Sequence, residues 1–194
     1  YLDWRLQHLE TDDGFIHAKP PPWKFFYPEE DRKKAEDEWL QTTQATLADI
    51  DQHIAISPAV LAPNWLVQRG AWLFRRGDFA GAAADFDAVA AKYPTSPRAE
   101  VARLMRARCS IEQSRQLLRE AAEKPDEALK QAAYDERRKA ADLLAAYERD
   151  YPHGRFLAEA IGWEGALASA WESYGDAVRS YLRQMASQPT RCGV

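Results

Sequence analysis

Four histidines, two cysteines and a few carboxylate pairs are the residues of this chain whose types could do chemistry. His8, His17, His53 and His153 stand far apart. None has a second ligand at the short spacing by which a helix or a finger holds zinc. Each reads as a surface or capping residue, and no metal site is expected. Cys109 falls in a helical stretch and Cys192 in the tail, so no disulfide between them is expected, and two cysteines do not set the redox compartment. Asp12-Asp13 leads into Gly14 as a turn. Glu29-Glu30-Asp31 follows Pro28 as a helix start, where acids complement the positive helix end. Neither set reads as an acid–base dyad. No glycine-rich phosphate loop leads into a helix, and no Gly-x-Ser-x-Gly elbow occurs. By these signs the chain has no catalytic residue, calls for no cofactor and is not an enzyme.

Composition narrows the class further. Of 194 residues, 46% are apolar and 29% charged, which is enough for an ordinary hydrophobic core. A net charge of −4 argues against a nucleic-acid surface. The local basic clusters are Arg75-Arg76, then Arg103, Arg106 and Arg108, then Arg137-Arg138-Lys139, and they read as solvated helix faces. No apolar run is long enough to span a bilayer. The chain opens on Tyr1 rather than Met, so a processed form or an excised fragment is expected.

The informative pattern lies between Asn64 and Pro94. Gly70, Gly77, Phe79, Ala82, Phe86 and Pro94 follow one another at steps of 7, 2, 3, 4 and 8 residues. Gly165, Tyr174, Ala177, Tyr181 and Pro189 take the places of Gly70, Phe79, Ala82, Phe86 and Pro94 in a later copy. Gly175-Asp176 echoes Gly77-Asp78 there, but on the other side of the aromatic residue. A middle copy is split. Ala140, Leu144 and Tyr151-Pro152 lie 58 residues after Ala82, Phe86 and Tyr93-Pro94, and Ala107 is its small packing residue.

This pattern resembles the tetratricopeptide repeat, a helix–turn–helix unit of about 34 residues. The resemblance covers residues 63–190 and implies an all-α, right-handed α–α superhelix of three hairpins, at 63–94, 97–152 and 156–190. Small residues let the two helices of a hairpin approach closely, and aromatics fill the space towards the next hairpin. Proline ends the second helix. One such hairpin cannot bury its own apolar face, so roughly three are needed for a stable stack.

Helices are expected over 63–76, 79–92, 97–123, 126–150, 156–172 and 174–187. Lys124-Pro125-Asp126-Glu127 is the hinge of the middle pair, with Asp126 as N-cap. The middle repeat has 24 residues more than the family length, so its hairpin should project roughly 18 Å beyond its neighbours. A further helix from Pro28 to Ile56, with Ala35, Trp39, Leu47, Ile50 and Ile54 on one face, is expected to cap the first repeat, followed by a linker to residue 62. Residues 1–28, with Pro20-Pro21-Pro22 and the aromatics Trp23, Phe25, Phe26 and Tyr27, read as an irregular cap or strap.

The resemblance also implies a function. In that family the first helices of successive repeats line a concave groove for peptides or partner helices. Here that face is expected to hold Gln68, Phe74 and Arg75 from the first repeat, Leu104, Arg108 and Ile111 from the second, and Trp163 from the third, with Val67 and Ala71 beside them. The Lys and Asn pattern by which chaperone-binding relatives clamp a C-terminal carboxylate is absent, since Val67 and Ala71 occupy the matching positions. The implied role is a non-catalytic scaffold that binds a protein or peptide through the groove, the projecting hairpin or both, with no nucleic acid. The alternative is an accessory helical domain of a larger protein, ordering a catalytic or membrane module. The junction Tyr93-Pro-Thr-Ser-Pro-Arg-Ala-Glu, echoed by Tyr151-Pro-His-Gly-Arg, is similar to junctions in envelope-associated members of the family in Gram-negative bacteria, which implies a periplasmic setting.

Overall fold

The computed structural model describes residues 29–171 and 173–187, and all regular structure among them is helical. The cap or strap expected of residues 1–28, the closing Pro189 and Cys192 lie outside the described residues. The chain divides into two compact units between Ser57 and Pro58.

In the first unit the described structure is one helix, α1 (Glu29–Ile56). Ile50 is fully buried, and Trp39, Leu47 and Ile54, on the same face, are partly so. Thr42 and Thr46 each donate a hydroxyl hydrogen bond to the carbonyl four residues back, at 2.8 Å. That bond holds these side chains against the helix in place of solvent.

The second unit is a run of six helices: α2 (Ala62–Arg75), α3 (Phe79–Lys92), α4 (Arg98–Glu123), α5 (Glu127–Asp150), α6 (Leu157–Ala170) and α7 (Tyr174–Ser187). Each packs against the next in sequence, and α2 also meets α4. Local chemistry sets the boundaries. Gly77 has a φ of +81°, which closes α2 with hydrogen bonds from Gly77 N–H to the Phe74 carbonyl and from Asp78 N–H to the Leu73 carbonyl. Glycine adopts that backbone without strain. Asp78 then caps α3 by accepting from Gly81 N–H at 2.9 Å. Asp126 caps α5 in the same way, accepting from Ala128 N–H at 2.8 Å. The turn before α7 is built differently. Gly175 lies inside α7, and Ser173 stands at the helix start, with its hydroxyl on Asp176 at 2.5 Å.

Two apolar clusters fill the second unit, and α4 contributes to both. Ala102 and Cys109 face Val67, Phe79, Phe86 and Val89. Leu104, Ala107 and Ile111 face Leu144, Tyr147, Ala160 and Leu167. In the first and last hairpins a small residue of one helix meets a ring of the other. A Cβ on Gly70 would stand 3.0 Å from the Phe86 ring, and one on Gly165 would stand 2.9 Å from the Tyr181 ring. Polar side chains tie the hairpins together. Arg69 donates to Asp85 at 2.8 and 2.5 Å, and Arg98 of α4 donates to Asn64 of α2 at 2.8 Å.

The middle hairpin is the long one. Its helices have 26 and 24 residues, against 14 in each of the other four. Arg137 of α5 donates to the carbonyl of Ala170, the last residue of α6, at 3.3 Å. The part of α5 before Arg137 therefore runs past the end of α6.

Candidate functional site

The residue that gathers this site is Arg108. It lies midway along α4, where positions 104, 108, 111 and 115 recur on one side of the helix at spacings of three and four. Its guanidinium carbon is 5.4 Å from the centre of the Phe74 ring on α2 and 5.4 Å from the centre of the Trp163 ring on α6. One cation thus lies against aromatic rings from the hairpins before and after its own. Phe74 is held by an edge-to-face contact with Phe79, with centroids 5.3 Å apart. Arg115, two turns along α4, lies 5.5 Å from the same Trp163 ring. Contacts of this kind contribute about 0.5–2 kcal/mol each, more as water is removed.

The charges at the site do not balance. Arg115 is paired with Glu112 at 2.6 Å. Arg108 has no carboxylate partner among the described residues; its hydrogen bond goes to the Met105 sulfur at 3.5 Å. Burial pulls the Arg108 pKa below the ordinary arginine value, Glu112 opposes that, and Arg115 adds to it. An arginine nevertheless stays charged in any protein setting. None of the Arg108 nitrogens is both buried and without a partner. Its remaining N–H groups therefore open to solvent, while the Phe74 and Trp163 rings stand beside it.

The residues expected to line a groove divide into three sets. Phe74, Arg108 and Trp163 come together. Leu104 and Ile111 are 5% and 3% exposed and belong to the core beneath them, so they support the site rather than present a surface. Gln68 and Arg75 are half-buried on α2. Arg75 lies 5.9 Å from the Trp72 ring, and burial lowers its pKa. Gln68 Oε1 is buried with no hydrogen-bond partner among the described residues. Val67 and Ala71 are buried.

Arg115 is the member that the sequence reading leaves out. The available signal is its distance of seven residues from Arg108, which is two helical turns and therefore the same face. A second surface also emerges only in the structure. Tyr174, Val178, Tyr181, Leu182 and Met185 are exposed along one stripe of α7, with Trp171 just before it.

Cys109 is buried, and desolvation pushes its thiol up to about 12, which leaves it unreactive at neutral pH. No group of three metal-ligating side chains occurs among the described residues. No described helix is long and apolar enough to cross a membrane. The chain matches no protein-family model, no curated protein and no solved structure.

Proposed function

We propose that this chain is a non-catalytic interaction module of the tetratricopeptide type, which binds a protein partner across the inner faces of α2, α4 and α6. The family reading is supported by the pairs Gly70–Phe86 and Gly165–Tyr181, which meet at the positions where that repeat places its small and aromatic residues. The binding reading rests on one observation: Phe74, Arg108 and Trp163, from three helices and 89 residues of sequence, converge on one partly open cation. Large rings and arginine carry most of the energy in protein interfaces, because they bury much area with few rotatable bonds. In this reading α3, α5 and α7 hold the binding helices in register, and the right-handed superhelix gives the groove its curvature.

The test is affinity capture with the full chain, comparing the natural sequence with the double variant Phe74→Ala, Trp163→Ala. Both rings are only partly buried, so the variant should keep its helical circular dichroism. The expected result is a partner retained by the natural chain and lost by the variant. Equal capture by both would place the binding surface elsewhere on the molecule.

A further inference from the structure

We infer that Arg108, held between Phe74 and Trp163, is a receptor for one carboxylate of an extended peptide segment in the partner. This inference rests on the groove reading above and names the chemistry of the bound group.

The argument begins with an imbalance. Removing a charge from water is costly unless an opposite charge meets it. Three partly buried arginines of α2 and α4 have such a partner: Arg69 has Asp85, Arg106 has Asp87 and Arg103 has Asp150. Arg108 is also partly buried, yet no carboxylate lies within ion-pair distance of it among the described residues; Glu112, one turn along α4, acts on it only from farther off and is itself paired with Arg115. The two rings supply part of the missing stabilisation. A ring face, however, interacts with the flat face of a guanidinium and leaves its in-plane N–H donors unused.

Those donors are constrained by their surroundings. Two rings, each 5.4 Å from the guanidinium carbon, crowd the group and limit its movement, and its unpartnered N–H groups face the solvent that the rings leave open. A planar fork of donors matches a carboxylate through two parallel hydrogen bonds. Because the group is already confined, less rotational freedom is lost when a ligand arrives.

The amount of charge selects the ligand class. Two guanidiniums flank Trp163, and Glu112 neutralises one of them. One positive charge is left, which suits a monoanionic carboxylate. A phosphate monoester carries close to two negative charges at neutral pH, and a nucleic-acid strand would need a row of cations. Leu104 and Ile111 beneath the site are sealed into the core. Specificity therefore falls to the exposed edge of Arg108 and to the flanking rings, which would accept an apolar or aromatic neighbour of the acidic residue.

The test is a selection of random dodecapeptides on the full chain, in two formats. In one the peptide C-terminus is fused, so only Asp and Glu side chains supply carboxylates. In the other the C-terminus is free. Selected peptides are then made as acid and neutral pairs, with Glu→Gln, Asp→Asn or a terminal amide. The expected result is an acidic position common to the selected peptides, with the neutral peptide about tenfold weaker or more. Arg108→Gln should weaken the acidic peptide similarly and should no longer distinguish acid from neutral. Arg108→Lys should fall between, because it keeps the charge and loses the fork. The format that yields the common acid identifies a side chain or a chain end as its source. The pairing of protein and peptide changes separates recognition from a merely structural arginine, whose loss would weaken acid and neutral peptides alike. Peptides that need Phe74 and Trp163 but bind equally well as acid and neutral forms would overturn the carboxylate and leave the groove. Peptides indifferent to all three residues, or no selected peptides, would overturn both.

Discussion

The Phe86 ring lies against Gly70 so closely that a Cβ there would stand 3.0 Å from two of its carbons. Phe86 is fully buried and cannot swing away. The matching pair in the last hairpin is Gly165 with Tyr181, where the Cβ would stand 2.9 Å from the ring of a residue that is 41% exposed. The two sites have the same crowding and different room to relax. Gly70→Ala is expected to lower stability by about 1–2 kcal/mol, since overpacking outweighs the better helix propensity of alanine. Gly165→Ala is expected to cost less than half as much, because Tyr181 can turn towards solvent. Urea unfolding of both variants checks this, and equal losses would show that Tyr181 is as fixed as Phe86.

How much of this was legible in the sequence depends on the kind of signal. The helices over 79–92 and 174–187 have the bounds that the spacing predicts, because an aromatic residue opens each and a small packing residue follows three positions on. The length of the middle hairpin follows from the 58-residue interval between its proline and the previous one. Burial was harder to read. Leu104 and Ile111 are spaced to share the face of Arg108, yet α5 and α6 close over them. Only the longer side chain of Arg108 reaches past that packing. The turn before α7 shows a different limit. The Gly-Asp pair recurs in the sequence, but there it is drawn into the helix, and Ser173 with Asp176 takes over the start.

The junction between the long hairpin and α6 rests on Tyr147. Its hydroxyl donates to Glu100 Oε1 at 2.6 Å and lies 3.3 Å from the Phe156 N–H, which donates to it. Gly154 fits beside them because a Cβ would come within 2.5 Å of Glu100 Oε1 and 2.9 Å of the Tyr147 oxygen. Tyr147→Phe should cost about 1–2 kcal/mol, since a partly buried carboxylate loses its main donor. Gly154→Ala should disturb the same contact. The two losses are therefore expected to be less than additive in the double variant, as measured by thermal or urea unfolding. Simple additivity would mean that Gly154 acts through something other than this hydrogen bond.

A pH dependence should arise where α5, α6 and α7 meet. Arg183 of α7 donates to both Glu148 of α5 and Glu164 of α6. Burial, with Glu148 close by, raises the Glu164 pKa from 4.5 to about 7, although Arg183 opposes the shift. Glu148 Oε1 is buried without a partner, so a proton on Glu164 would give it one. A carboxyl with a raised folded-state pKa contributes stability below its unfolded value, and that contribution is lost as pH rises through the folded value. The protein should lose stability between about pH 5 and 8. Glu164→Gln should match the natural chain near pH 5 and exceed it at pH 8 by roughly 1 kcal/mol, a figure reduced for the solvent that reaches this pair. Thermal melting across that range is the measurement, and a variant less stable than the natural chain at pH 8 would contradict the shared proton.

The stripe on α7 offers a check on what is packed and what is open. Val178, Leu182 and Met185 are 56%, 56% and 63% exposed, whereas Ala177 and Ser180 on the adjoining side of the helix are buried. Changing the three exposed residues to serine removes little packing and should shift the melting point by only a few degrees. Ala177→Leu, which forces a larger side chain into the contact with α6, should cost about 1–3 kcal/mol. A large loss from the three serines would mean that the stripe is covered in solution.

The long hairpin poses the last question, whether its extension serves the fold or a partner. The other hairpins close with helices of 14 residues, so the extra turns of α4 and α5 are not needed to complete a hairpin. Near the tip they hold themselves together through the buried Ser114, Ala121 and Ala133, while Tyr134 is exposed beside Arg137, 5.9 Å from its ring. Removing matched segments, Gln113–Ala122 and Glu127–Glu136, and rejoining through Lys124-Pro125-Asp126 should leave both core clusters intact. Arg137 stays, and with it the hydrogen bond to the end of α6. Arg115 goes with the first segment, so the stack on Trp163 keeps Arg108 alone. The shortened chain is expected to stay folded by circular dichroism, still to select acidic peptides, and to lose contacts that a whole protein partner makes with the tip. Early melting or aggregation would assign the extension to the fold. Undiminished capture of the whole partner would confine binding to the groove around Phe74, Arg108 and Trp163.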